Sequence, residues 1–63
     1  MTTKLYIYNF NGTIHETYEA FDETYRMLKR EAIASGEPFS RQVVCGEQIV
    51  NQFYSNGIWL DEK

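Results

Sequence analysis

The stretch Lys4-Leu5-Tyr6-Ile7-Tyr8-Asn9-Phe10-Asn11-Gly12-Thr13-Ile14-His15-Glu16-Thr17 decides the fold. Its side chains alternate with the period of two that a strand requires, and the alternation is interrupted once, at Asn11-Gly12. A two-residue type I′ turn needs positive φ at both central positions, which Asn and Gly tolerate best, and its twist matches that of the strands it joins. The stretch therefore predicts a β-hairpin. With Asn11-Gly12 as the loop, Phe10 opposes Thr13, Tyr8 opposes His15 and Tyr6 opposes Thr17 on one face, while Leu5, Ile7 and Ile14 fall on the other.

A second Asn-Gly pair, Asn56-Gly57, repeats the signal near the other end of the chain. It predicts a return from Gln48–Ser55 into Ile58-Trp59-Leu60, with Phe53 opposite Leu60 and Tyr54 opposite Trp59. Arg41–Cys45 is rich in β-branched residues, and Gly46-Glu47 reverses the chain ahead of Gln48. A competing reading places a short helix over Val50, Phe53 and Tyr54, ending at Gly57. The abundance of β-branched and aromatic residues favours strands. Between the hairpins the period changes. Phe21, Tyr25, Leu28 and Ala32 form one stripe of an amphipathic helix running from about Glu19 to Ser35, capped by Thr17 or a residue soon after it. Gly36 and Pro38 mark its end. The predicted fold is one small α+β domain over residues 1–63, a mainly antiparallel sheet in the order ββα followed by one or two hairpins, with one helix packed on one face. Strand order is not readable.

Composition narrows the functional classes. A hydrophobic share of 43% and an aromatic share of 16% in 63 residues point to a folded chain, because a disordered one lacks the apolar area to offset ordering entropy. A domain this short buries only about 60% of its unfolded surface, so self-association would help it. The lone Cys45 excludes an internal disulfide, the start Met1-Thr2-Thr3-Lys4 has no apolar leader, and no run approaches the ~18 apolar residues of a membrane span. A cytoplasmic, unprocessed protein without membrane attachment is expected. The net charge of −3 disfavours nucleic acid. Arg26, Lys29 and Arg30, interleaved with Glu23 and Glu31, read as a solvated helix face.

No catalytic, cofactor or metal motif emerges. The glycines belong to turns and a helix end rather than to a phosphate loop, and neither Cys-x-x-Cys nor His-x-x-x-His is present. Nothing in the sequence brings His15 and Cys45 together as a nucleophilic pair. No small-molecule substrate is indicated. The candidate functional residues are aromatic. If Leu5, Ile7, Ile14, Ile49, Phe53, Ile58 and Leu60 meet the helix, then Tyr6, Tyr8, Phe10, His15, Tyr54 and Trp59 are left on a face that a single helix cannot cover. Rings on an open face suit a protein interface, with a foreign protein or a second copy in a homodimer. The alternatives are an aromatic ladder that stiffens the sheet, and a stacking platform for single-stranded nucleic acid, which lacks a basic rim. A small enzyme with its site in a dimer cleft is the weakest reading.

The opening Met1-Thr2-Thr3-Lys4, the helix segment Tyr18-Glu19-Ala20-Phe21-Asp22-Glu23-Thr24-Tyr25 and the closing Phe53-Tyr54-Ser55-Asn56-Gly57-Ile58-Trp59-Leu60 together give the chain a look that resembles small uncharacterised bacterial or prophage-encoded proteins. The resemblance implies a binding role toward a host protein and carries over no functional residue.

Overall fold

The computed structural model describes residues 3–62. Strands β1 (Lys4–Phe10) and β2 (Thr13–Thr17) are followed by helix α1 (Glu23–Ser35) and by strands β3 (Phe39–Cys45), β4 (Gln48–Ser55) and β5 (Ile58–Asp61). The strands form one antiparallel sheet in the order β2-β1-β3-β4-β5. This is the α+β architecture expected of the sequence, and residues 48–55 are strand rather than helix.

Both Asn-Gly pairs make type I′ turns: Asn11 and Asn56 sit at φ 50°, and Gly12 and Gly57 at 86° and 87°. The registers follow from them. Tyr8 lies opposite His15 and Tyr6 opposite Thr17 in the first hairpin, and Tyr54 opposite Trp59 in the last. Between β3 and β4 only Gly46, the first turn residue, has positive φ, the pattern of a type II′ turn.

The helix begins later than its periodicity suggests. Asp22 is the N-cap, its Oδ1 accepting from the Tyr25 amide at 2.7 Å, and the backbone ahead of it is not helical. Tyr25, Leu28 and Ala32 are buried, whereas Phe21, expected on the same stripe, precedes the helix and is 64% exposed. Gly36 ends the helix in the left-handed conformation, donating to the Ala32 carbonyl at 2.9 Å.

The largest correction concerns the sheet faces. The helix covers the aromatic face, and the aliphatic face is open. Tyr8 is 0% exposed, and Phe10, Tyr25, Leu28, Ala32 and Phe39 complete the buried core, with Tyr6, Tyr54 and Trp59 packed against it. Leu5, Ile7, Ile14, Ile49, Phe53, Ile58 and Leu60 lie on the opposite side by strand alternation; Ile14, Ile49, Phe53, Ile58 and Leu60 are among the exposed large hydrophobics.

Topology and volume explain the choice. β2 and β3 both run antiparallel to β1, so they are parallel to each other and α1 is a crossover spanning β1. Such crossovers have one hand almost without exception, and strand order therefore dictates which face the helix takes. The helix then supplies only Tyr25, Leu28 and Ala32 to the buried core. Large rings from the sheet fill the space that these three residues leave.

Candidate functional site

Tyr8 is the hub of the covered face. Its ring lies 4.9 Å from that of Tyr25, 5.9 Å from Phe39 and 6.0 Å from Trp59, centroid to centroid. Phe39 meets Trp59 edge-on at 5.1 Å, and Tyr54 meets Trp59 in the same way at 5.3 Å. Offset and edge contacts at these separations are the attractive geometries for aromatic pairs. The polar ends of the rings find partners inside the fold. Tyr8 Oη donates to the Ala20 carbonyl at 2.7 Å, and Trp59 Nε1 donates to Tyr25 Oη at 3.4 Å. Burial pushes the Tyr8 hydroxyl above its ordinary value, against the opposing pull of Arg41.

Arg41, opposite Tyr8 on β3, spreads its guanidinium over the edge of the cluster. It stands 4.3 Å from the centroid of Trp59 and 5.4 Å from that of Tyr6, within cation–π range. Arg41 Nε donates to Gln52 Oε1 at 2.7 Å, and Gln52 Nε2 donates in turn to Asp61 Oδ1 at 2.7 Å. This chain crosses β3, β4 and β5, holding the guanidinium over the rings. Among the described residues, no buried side-chain nitrogen or oxygen lacks a partner.

His15 belongs to the same face and has a structural role. Its Nε2 donates to Asp22 Oδ2 at 2.7 Å, tying β2 to the helix cap. Desolvation works to raise the Asp22 carboxyl. Hydrogen bonds from His15, the Tyr25 amide and Thr17 outweigh it, so Asp22 titrates below its ordinary 3.8.

The six residues expected to form an open interface, Tyr6, Tyr8, Phe10, His15, Tyr54 and Trp59, are thus brought together, but beneath the helix. The rings of Tyr6, Tyr8, His15, Tyr54 and Trp59 pack against one another, and Phe10 packs against Phe39. His15 and Cys45 remain apart: one faces Tyr8 and the other Lys4, four residues away along β1, or about 13 Å of strand. Among the described residues, no group of three or more His, Cys, Asp or Glu side chains is placed to hold a metal ion, and no helix is long and apolar enough to cross a membrane.

The surface that sequence reasoning assigned to the core is the one that stands open. Rows of this face cross the sheet in register: Ile14, Asn9, Ser40, Phe53 and Leu60 in one, and Leu5, Val44 and Ile49 in another. A third row runs from Glu16 through Ile7, Gln42 and Asn51, where Gln42 Nε2 donates to Asn51 Oδ1 at 3.0 Å, and Glu62 continues it through an amide bond to the Asn51 carbonyl at 2.8 Å. Glu16 and Glu62 stand at its two rims, and the positions between them are uncharged. Ile49 is 60% exposed and Ile58 57%.

No protein-family model matches the sequence, and neither a curated protein nor a solved structure is significantly similar to it. The chemistry of its own surfaces therefore carries the functional reading.

Proposed function

We propose that the protein is a non-enzymatic interaction module that pairs with a second copy of itself through the aliphatic face of its sheet. The supporting observation is that face: five strands wide, rich in exposed Ile, Leu and Phe, and free of charge except at its rims. Its apolar patches, Phe53, Ile58 and Leu60 at the β4–β5 end and Leu5, Val44 and Ile49 along one row, lie on either side of the Gln42–Asn51 pair, and exposed patches of this kind mark interaction sites.

A second copy suits it for four reasons. Two aliphatic sheet faces pack at about 10 Å as in a β-sandwich, burying the same residues on both sides of a two-fold axis. Four strand spacings of about 4.8 Å by strands of about 17–25 Å give roughly 650–950 Å² for two copies, the size of a weak, concentration-dependent interface. With Glu16 and Glu62 at the rims and the central amides of Gln42 and Asn51 bonded to each other, the faces meet without desolvating a charge. A chain of 63 residues with a small core also gains the stability that a partner supplies.

Sedimentation equilibrium over a range of protein concentrations tests this. The expected result is a species of twice 7.4 kDa that Phe53→Asp or Ile58→Asp converts to monomer without loss of far-ultraviolet circular dichroism. A monomer at every concentration, or a dimer indifferent to both substitutions, would overturn it.

A further inference from the structure

The helix carries a second surface on the side of the sheet away from the aliphatic face. Arg26, Lys29, Arg30 and Ile33 follow one another at spacings of three, one and three, which places them on one stripe of α1. Phe21 stands at its N-terminal end, edge-on to Tyr25 at 5.7 Å. Together they line a shallow groove of about 440 Å³. Phe21 and Ile33 are 64% and 62% exposed, so the groove has an apolar anchor at each end and cations between.

Among the described residues, no carboxylate lies within 4.0 Å of any of these three cations; His15–Asp22 is the ion pair that forms there. Of the two carboxylates expected to interleave with them, Glu31 is about 100° round the helix from Arg30 and 140° from Arg26, and Glu23 lies on the stripe one turn before Arg26 without forming an ion pair with it. Like charges at spacings of three and four repel, and guanidinium groups bind carboxylates through paired hydrogen bonds. The stripe thus offers the donors of Arg26 and Arg30, neither of them in an ion pair among the described residues, with the Lys29 ammonium beside them at 5.9 Å over the Tyr54 ring.

We propose that this stripe binds an acidic peptide segment bearing apolar side chains, its carboxylates on Arg26, Lys29 and Arg30 and its apolar groups on Phe21 and Ile33. Charge distribution favours a peptide over a polyphosphate or an anionic membrane. Glu19, Asp22 and Glu23 adjoin Phe21 and Arg26 at the N-terminal end of the groove, where a uniform polyanion would be repelled. A peptide matches a surface whose sign changes along its length, because it can place acids over the cations and leave the acidic end free. The two apolar anchors add contacts for which a phosphate backbone has no counterpart. The proposal does not depend on self-association; in a sheet-to-sheet dimer the two stripes would face outward on opposite sides, making the assembly bivalent.

The test is a titration of isotope-labelled protein with a synthetic peptide of Glu interspersed with Leu and Phe, followed by amide chemical shifts at low and moderate salt. Shifts centred on residues 21–33, weaker binding at the higher salt, and a loss of about tenfold or more in affinity for Arg26→Glu/Arg30→Glu and for Phe21→Ser are expected. The same peptide with Lys in place of every Glu should not bind. Circular dichroism of the variants establishes that these exposed substitutions leave the fold intact. No binding of the acidic peptide at millimolar concentration would overturn the proposal, as would binding unaffected by the charge reversal or shifts confined to the sheet. Tighter binding of a single-stranded oligonucleotide or of anionic phospholipid vesicles to the same stripe would overturn it too. Dimerisation is read by sedimentation and peptide binding by shifts, so either can fail alone.

Discussion

The two faces of the sheet are built from different hydrophobic residues, and only one face is covered. The covered face uses Tyr, Phe and Trp, whose rings span the gap to a helix that buries only Tyr25, Leu28 and Ala32, and whose polar ends reach Ala20, Tyr25 and Arg41. The open face uses Ile, Leu and Phe53, with the amides of Asn9, Gln42 and Asn51 among them. The contrast teaches that volume and internal polar satisfaction, rather than apolarity alone, decide what serves as the core of so small a domain.

Truncating the hub should separate the faces most sharply. Tyr8→Ala removes a wholly buried ring and should cost about 3–5 kcal/mol, enough to unfold a domain of this size. Ile49→Ala or Ile14→Ser on the other side should change the stability of the monomer by no more than about 0.5 kcal/mol. Urea unfolding followed by circular dichroism, at concentrations where the protein is monomeric, measures both. Equal losses on the two faces would break the comparison.

The polar ties of the covered face come next. Asp22→Ala removes both the helix cap and the partner of His15, and should cost about 1–2 kcal/mol at neutral pH. Asp22→Asn keeps a capping side chain but no charge, which isolates the ionic contribution. Because the Asp22 carboxyl titrates below its ordinary 3.8, the unfolded state takes up its proton first as pH falls. The stability it contributes is complete above that value and lost as pH drops through the folded one. Acid titrations at fixed urea should therefore show a shallower loss below pH 3.8 in Asp22→Asn than in the parent chain. Smaller again is Tyr8→Phe, which leaves the ring and removes the hydroxyl that donates to Ala20; a cost of about 1 kcal/mol is expected in the same urea experiment.

How much of this was legible in the sequence follows from where the signals are local. The registers of both Asn-Gly hairpins could be read residue by residue, because a two-residue turn fixes which side chains oppose one another. So could the helix stop at Gly36. The split of the chain into an aromatic and an aliphatic set was equally plain. Which set the helix would cover was not, since that depends on β3 pairing with β1, a contact between residues far apart in sequence, and on the hand of the crossover it creates. The same non-local pairing hid Phe39, which is 3% exposed. Its position just after Pro38 reads as a connection, and only its register opposite Phe10 makes it core. Phe21 fails in the other direction: its spacing from Tyr25 is helical, but Asp22 caps the helix one residue after it. The six rings expected to lie open were misplaced with the faces, and Arg26, Lys29 and Arg30, read as interleaved with Glu23 and Glu31, form no ion pair with either.

The sheet order also sets a sequence of events in time. β1 with β2, β3 with β4 and β4 with β5 each close through a two-residue turn, whereas β1 meets β3 across the entire helix, Phe10 to Phe39 at the near end and Lys4 to Cys45 at the far one. Local hairpins form in about 1–10 microseconds, so the pairing of β1 with β3 is expected to limit the rate of folding. Substitutions at Phe39 should accordingly slow folding, which stopped-flow kinetics can read directly.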